Sequence, residues 1–302
     1  MEEIERAQER LQHIRSVEPI LDALRMIALG SWQKATKQQA VSEAYSDRLL
    51  AALPPLLSHL PRLPQPKQRT DAQSVRRVVV VIGSERGLCG RFNVDVAAYA
   101  DEYLADREAQ GELVTVVALG SRLIRLLVKG ERPLAWSQAL SATTLPPLSS
   151  AFSLTQQWLA QFEENEIDAV TCVYNVYTGM GSYRSTVTPL LPPPLPEKRP
   201  LAETWPPPII ETDPITLYTQ IVQQWTAVRY YQLLLQSTMA EQSVRYQLME
   251  SAGQNTERLL DELSGVVQAA RQQAITREMQ ALAVGAGLLG DHEVGHDEYG
   301  NE

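Results

Sequence analysis

The chain has 302 residues, of which 44% are hydrophobic and 21% charged, values that are ordinary for a protein with a substantial core. Lys and Arg number 27 against 36 Asp and Glu, so the net charge is −9, and this acidic balance argues against nucleic acid as the main partner. The acidic amino terminus has no apolar signal segment, no apolar stretch is long enough to span a bilayer, and two cysteines are too few for a disulfide scaffold. We expect a soluble cytosolic chain.

Proline divides the sequence into blocks. Five of the 19 prolines fall within 54–66 and eight within 192–208, and none follows Pro214. Because runs rich in proline form extended linkers, they mark the boundaries between blocks. The pattern predicts an N-terminal helix over 1–60, a linker over 61–74, an α/β base domain over 75–190, a second linker over 191–213, a C-terminal helix over 214–290 and an acidic tail over 291–302.

The middle block carries the signals of a buried sheet. Val78–Ile82 and Leu113–Leu119 are short β-branched runs that end at glycine, and Ala169–Tyr177 is a third run of this kind. Strands that alternate with helical patterns are typical of a parallel α/β sheet. We therefore expect a Rossmann-like α/β base domain.

The C-terminal block has a heptad pattern. Alternate steps of four and three residues from Ile221 to Ala274 meet 16 positions, of which 12 are apolar. A similar stripe in the N-terminal block includes Leu24, and together the two stripes predict a long antiparallel coiled coil on the base domain. Gly253 lies on the seam, where it either permits close backbone approach or costs about 1 kcal/mol for no gain. The residues assigned to this seam are Leu24, Met26, Leu235, Met239, Met249, Leu260, Leu263 and Val267.

Three short motifs suggest chemistry, and each has a simpler explanation. The loop Gly83–Gly90 follows a strand but lacks the Gly-Lys-Ser/Thr ending of a phosphate-binding loop. Cys89 follows a strand, but the two histidines outside the tail, His13 and His59, lie in the N-terminal helix and linker blocks, so a small buried thiol is the better interpretation than a nucleophile. His292–His296 matches H-E-x-x-H, but it lies among acidic residues six residues from the end, and coincidence is the better interpretation. We expect no catalytic residue, no nucleotide or metal site, and no cofactor.

Two longer motifs resemble a known family. The loop 84–93 reads Ser-Glu-Arg-Gly-Leu-Cys-Gly-Arg-Phe-Asn and is similar to the S-D-R-G-L-C-G-x-x-N signature of the γ subunit of F-type ATP synthases. Residues 270–279 and 285–289 resemble the A-R-Q-A-x-I-T-x-E-L and G-A-x-A-L endings of the same family, and 23–28 is similar to A-M-x-M-V-A. Glu241, Arg245 and Met249 match part of the family's S-E-x-x-A-R-M-x-A-M segment. The positions that match the family's base turn are Gly87, Leu88, Cys89, Gly90 and Asn93.

The resemblance implies a rotor and not a catalyst. It implies a coiled-coil shaft inside a hexamer of α and β subunits (α3β3) and a base that rests on the membrane c-ring with the ε subunit. The chain would then lie at the cytoplasmic face of an energy-transducing membrane, as a peripheral subunit that couples proton or sodium flow to ATP synthesis or hydrolysis. The resemblance also implies that Arg271, Gln272 and Thr276 hold a loop of a β subunit and that Arg86 contacts the hexamer from the other side.

Several residues depart from the family pattern. The stretch Glu18–Asp22 replaces a basic segment, and residues 1–53 hold seven Lys and Arg against eight Asp and Glu. Pro19 is expected to remove a helix hydrogen bond and to kink the helix. These departures indicate a divergent γ subunit and leave open whether it serves a main synthase or an alternative F-type ATPase. Two other classes remain as alternatives: a coiled-coil tether or adaptor that never enters an ATPase ring, and an α/β enzyme with helical arms.

Overall fold

The structure of the chain, a computed structural model, describes residues 2–57, 59–60, 74–141, 144–193 and 209–285. Most of the two predicted linkers and the whole acidic tail, with its His292–His296 match, lie outside these residues. Within the described part, a long helix at each end of the chain encloses an alternation of strands and helices. The elements are α1 (Glu2–Leu57), β1 (Arg76–Ile82), α2 (Phe92–Ala109), β2 (Leu113–Leu119), α3 (Ser121–Lys129), β3 (Trp136–Gln138), α4 (Leu148–Glu163), β4 (Ala169–Gly179), β5 (Ser182–Leu191) and α5 (Pro214–Gly285).

The five strands form one sheet in the order β3-β2-β1-β4-β5. β1 pairs in parallel with β2 and β4, and β3 pairs in parallel with β2. The expectation of a parallel α/β sheet is confirmed for these four strands. β1, β2 and β4 could be predicted because parallel strands buried on both faces consist of continuous β-branched runs. The expectation needs correction at the edge: β5 runs antiparallel to β4, so the sheet is mixed, and the sequence pattern predicts neither β3 nor β5.

Each face of the sheet has its own hydrophobic core. On one face, side chains of β1, β2 and β4 pack against α4, α5 and part of α1, in a cluster that includes Val80, Trp158 and Tyr230. On the other face, the intervening side chains pack against α2 and α3, in a cluster that includes Val81 and Leu123. The base is therefore a three-layer α/β/α arrangement, as the alternation of elements predicts.

The middle of α5 is buried on all sides. Between Trp225 and Arg245 no residue is exposed. Tyr230, Leu234 and Met239 belong to the core on the sheet, together with Ala35 of α1. A heptad seam buries one stripe of a helix, whereas this segment of α5 has the sheet and α1 as neighbours and buries its whole circumference.

α1 and α5 lie alongside each other and run in opposite directions within residues 24–250. The Tyr45 hydroxyl donates a hydrogen bond of 2.6 Å to the side-chain oxygen of Gln224. Arg25 and Glu250 form an ion pair of 2.7 Å. Residues early in the first helix thus meet residues late in the second.

Met26 does not lie in the seam to which the sequence assigns it. Its side chain is 59% exposed, whereas Leu24 is half-buried. Two residues correspond to about 200° around a helix, so Met26 points away from the face that contains Leu24. The buried face of α1 continues at heptad spacing through small and polar residues, namely Ala28, Ala35, Gln39, Ser42 and Ser46.

The chain divides into two compact units, of which one is residues 24–250 and the other combines residues 1–23 with 251–302. We call the two segments of the second unit the terminal arms, and their described residues are helical. In the arms Val267 is buried, Leu260 and Leu263 are half-buried, and α1 continues as helix through Pro19. A Cβ atom at Gly253 would meet no described residue within 4 Å, so within that part of the chain no close backbone approach requires this glycine.

Candidate functional site: the loop after strand β1 and the polar group of α5

The loop of residues 83–91 follows β1 at the carboxyl edge of the sheet and is held by a network of its own side chains. The backbone N–H of Ser84 donates to Asn93 Oδ1 at 2.9 Å, and Asn93 Nδ2 donates to Ser84 Oγ at 2.8 Å. Ser84 Oγ in turn donates to the carbonyl oxygen of Arg86 at 2.7 Å. Leu88 and Gly90 have φ angles of 62° and 58°. This left-handed conformation favours glycine, which the sequence supplies at position 90. The loop therefore has a defined shape.

Glu85 fastens this loop to the next two strand ends. Its carboxylate accepts hydrogen bonds from the Ser121 N–H at 3.0 Å, the Ser121 hydroxyl at 2.6 Å and the Leu140 N–H at 2.8 Å. Burial raises the pKa of Glu85, but these hydrogen bonds outweigh burial and hold the pKa below its ordinary value. The start of a helix at the carboxyl edge of such a sheet is where other proteins bind phosphate, and here the chain's own carboxylate takes that position.

Arg245 of α5 holds the same loop from the other side. Its Nε donates to the carbonyl oxygen of Gly87 at 3.3 Å, and one Nη donates to that oxygen at 3.2 Å and to the carbonyl oxygen of Arg86 at 3.5 Å. The same nitrogen donates to Glu241 Oε1 at 2.5 Å, and both side chains of this ion pair are about nine-tenths buried. Burial raises the pKa of Glu241, and the charge and hydrogen bond of Arg245 oppose that shift.

Cys89 is buried between this loop and α5. It packs in a small cluster with Phe92 and Ala240, and its thiol lies 3.5 Å from Ser84 Oγ. Burial raises the pKa of the Cys89 thiol, which disfavours the thiolate that nucleophilic chemistry needs. The location therefore suits a structural thiol.

Arg86 points away from this network. Its side chain is exposed, and within the described residues no hydrogen bond or ion pair joins its guanidinium to the chain. It lines a groove of about 420 Å³ with three further arginines, Arg122, Arg125 and Arg245. Ile27 and Leu88, which also line the groove, are 56% and 59% exposed. The groove thus offers positive charge beside apolar surface.

The second predicted contact group lies on α5 in the terminal arms. Arg271, Gln272 and Thr276 are all exposed, and the Thr276 hydroxyl donates to the backbone carbonyl of Gln272 at 2.8 Å. This bond uses the backbone carbonyl of Gln272 and not its side chain. The side-chain amide of Gln272 and the guanidinium of Arg271 are therefore available to another molecule. Arg86 belongs to the other unit of the chain.

The sequence analysis misses the role of Glu85, because its three donors lie 36 and 55 residues further along the chain. Glu241 and Arg245 are found there as matches to a family segment, and acidic and basic residues four apart on a helix commonly form an ion pair. Their hydrogen bonds to the loop are not predicted by the sequence. Among the described residues, no group of three His, Cys, Asp or Glu side chains is arranged to hold a metal ion, and no helix has the length and apolar content needed to cross a membrane.

Comparison with known proteins identifies the family. A family model described as ATP synthase matches residues 3–289. The ATP synthase gamma chain of Granulibacter bethesdensis is 27% identical over 290 residues, which cover 93% of this chain and 97% of that protein. The gamma chain of Chlorobium luteolum is 26% identical, over 93% of this chain and 96% of that protein.

Solved structures agree on the fold. A chain from the mitochondrial ATP synthase of Euglena gracilis matches with a TM-score of 0.58 and 16% identity, over 97% of this chain and 98% of that one. A chain from the central stalk and c-ring structure of the Tetrahymena thermophila mitochondrial enzyme matches with a TM-score of 0.55 and 20% identity, over 77% of this chain and 99% of that one. The chain therefore belongs to the gamma-chain family of ATP synthases.

Proposed function

We propose that the chain is the central-stalk rotor subunit of a rotary F-type ATP synthase or ATPase. The observation that carries the proposal is the match to ATP synthase gamma chains along nearly the whole length of both proteins. The partners are the α and β subunits as α3β3, the ε subunit and the membrane c-ring. The chain itself is not catalytic, and it works by contacting the β subunits unequally, so that its rotation moves each between conformations of different nucleotide affinity.

Each predicted domain has its own role in the proposed rotor. Segments 1–60 and 214–290 form an antiparallel coiled-coil shaft, and the antiparallel packing of α1 and α5 within residues 24–250 supports this arrangement. The Rossmann-like base over 75–190 lies toward the membrane ring, linked through 61–74 and 191–213, with 291–302 as a tail. Because the chain bridges a membrane ring and a hexamer, it lies at the cytoplasmic face of the membrane as a peripheral subunit.

Two exposed polar groups are the proposed contacts with the hexamer. Arg271, Gln272 and Thr276 hold a loop of a β subunit, and Arg86 contacts the hexamer beside its arginine-lined groove. The exposure of all four side chains supports the assignment, since each can reach a partner without any change in the chain. Arginine suits such a contact because its planar guanidinium can form paired hydrogen bonds with a carboxylate.

The experiment that tests the proposal is copurification. An affinity-tagged chain is expressed with the α, β and ε subunits encoded by its own source, and the product is weighed by native mass spectrometry. We expect an assembly with three α, three β and one copy of this chain that hydrolyses ATP, whereas the tagged chain alone hydrolyses none. A chain that stays outside any such assembly would favour the coiled-coil tether.

A further inference from the structure

We infer that Arg245, with Glu241, is a positioning pair that holds Arg86 in place for its contact with the hexamer. The inference rests on the proposed function for the role of Arg86. It adds that a buried ion pair on α5 fixes the backbone of this exposed arginine.

Hydrogen bonds fix the backbone of this loop from two directions. Arg245 donates to the carbonyl oxygens of Arg86 and Gly87, so it holds the two successive peptide groups that flank the Gly87 Cα. Ser84 Oγ donates to the same carbonyl of Arg86. The backbone of Arg86 is therefore fixed from the loop and from α5, while its side chain extends into solvent.

Glu241 neutralises and orients Arg245. An arginine buried at 7% exposure needs a counter-charge, and the carboxylate of Glu241 supplies it one helical turn away on α5. The carboxylate also fixes the rotamer of Arg245, because it binds one Nη while the neighbouring N–H groups face the loop. A buried pair of this kind gives little net stability, but it defines a single geometry.

Arg245 also provides the directional contact between this stretch of α5 and the loop. Within the described residues, Arg245 is the only side chain of α5 that hydrogen-bonds to residues 83–91. The remaining contact there is apolar: Cys89 and Phe92 pack on Ala240, and apolar contacts fix distance better than orientation. The pair thus supplies the directional link between the shaft helix and Arg86.

Cys89 provides a direct readout in the isolated chain. Its thiol lies inside the loop and is 2% exposed, whereas Cys172 lies in the sheet core and is fully buried. A thiol reagent such as 5,5′-dithiobis-(2-nitrobenzoic acid) therefore reports opening of the loop at Cys89 and opening of the sheet at Cys172. Each rate is assigned by mass spectrometry of the labelled peptides.

The test variant is E241Q/R245M, which removes the ion pair without leaving a lone buried charge. We expect labelling of Cys89 to accelerate about tenfold and labelling of Cys172 to stay within twofold of the wild-type rate. The matched control is R25Q/E250Q, which removes an ion pair between α1 and α5 away from the loop and should change neither rate. Unchanged labelling of Cys89, or equal acceleration at both cysteines, would overturn the inference. If the double variant does not fold, R245K replaces it, because lysine keeps the charge but lacks the guanidinium fork.

A double-mutant cycle in the assembled complex tests the link to Arg86. R86A and E241Q/R245M are each expected to lower the number of ions (protons or sodium) transported per ATP hydrolysed severalfold, and their combination should lower it no further than R86A alone. Losses that multiply, or no loss in either variant, would overturn the positioning role. Failure of the wild-type chain to assemble would instead defeat the proposed function, and the thiol measurement would still decide whether the pair holds the loop.

Discussion

Arg25 of α1 donates a hydrogen bond of 2.7 Å to the carboxylate of Glu250 on α5, across 225 residues of sequence. Both side chains are about one-third exposed, so water screens the pair. We expect R25Q to lower the free energy of unfolding by less than about 1 kcal/mol, and by less still in high salt. Urea denaturation at low and high ionic strength measures this, and a loss of several kcal/mol that salt does not reduce would contradict it.

The ion pair of Arg77 and Glu112 contrasts with this one because it is largely buried. Arg77 donates to the two carboxylate oxygens of Glu112 at 2.5 and 3.1 Å, and the side chains are 17% and 10% exposed. The hydrogen bond from Arg77 lowers the pKa of Glu112 despite burial. At pH 7 we expect E112Q to cost about 2–4 kcal/mol of unfolding free energy, because it leaves a buried guanidinium without its counter-charge.

The same pair predicts a pH dependence. A carboxylate whose pKa is lower in the folded chain stabilises the fold above its ordinary pKa of 4.5, and this stabilisation is lost as the pH falls through the lower, folded value. The difference in stability between wild type and E112Q should therefore shrink below about pH 4.5. Urea denaturation from pH 7 to 3 measures it, with E163Q, an exposed carboxylate on α4, as control. A difference that stays constant to pH 3 would show that the pair is not its source.

How far the sequence predicts this fold depends on the element. β1, β2 and β4 are found because burial on both faces requires continuous runs such as Val78–Ile82. β5 is missed because eight of its ten residues are half-buried or exposed, and five are Ser, Thr or Arg. The seam of α1 is only partly found, since it continues through Ala35, Gln39 and Ser42, which no apolar repeat marks.

For the candidate site, the sequence predicts the loop but not the residues that bind it. The loop residues Gly87 to Asn93 are recognisable as a motif because they are contiguous. The partners that fix the loop are not: Ser121 and Leu140 reach Glu85 only after β2 and β3 have paired beside β1. Such partners depend on topology, which a residue pattern alone does not specify.

Gly120 provides a test of how tightly the loop is packed against its neighbour. Its φ is 96°, and a Cβ atom there would lie 2.7 Å from the carbonyl oxygen of Ser84. We expect G120A to cost about 2–4 kcal/mol through backbone strain and steric overlap. G130A is the matched control, because Gly130 ends the same helix, has a φ of −81° and leaves space for a Cβ atom, so its cost should stay below about 1 kcal/mol. Equal costs in thermal denaturation would refute the packing argument.

Gly253 gives the opposite expectation. Because a Cβ atom at this helical position would meet no described residue within 4 Å, alanine should fit without strain. G253A should then stabilise the isolated chain by about 1 kcal/mol, the difference in helix propensity between the two residues. Thermal denaturation measures the gain. A loss of stability would mean that another backbone does approach the helix at this glycine.

The polar group of α5 gives the most direct test of the rotor. R271A/Q272A removes two exposed side chains, and alanine is a good helix former, so the isolated chain should keep its helicity and its thermal stability. In the assembled complex the same change removes charge-assisted hydrogen bonds to a β-subunit loop, worth about 1.5–3 kcal/mol each and less where water reaches them. The variant should therefore assemble with α3β3 yet lose much of its ATP turnover or of its coupling to ion transport. Q254A/R258A is the matched control, since it removes the same residue types, both exposed, from α5 about four helical turns away and should leave turnover unchanged. Wild-type turnover and coupling in the assembled R271A/Q272A variant, or an equal loss in the control, would remove Arg271 and Gln272 from the contact and leave them as a solvated helix face.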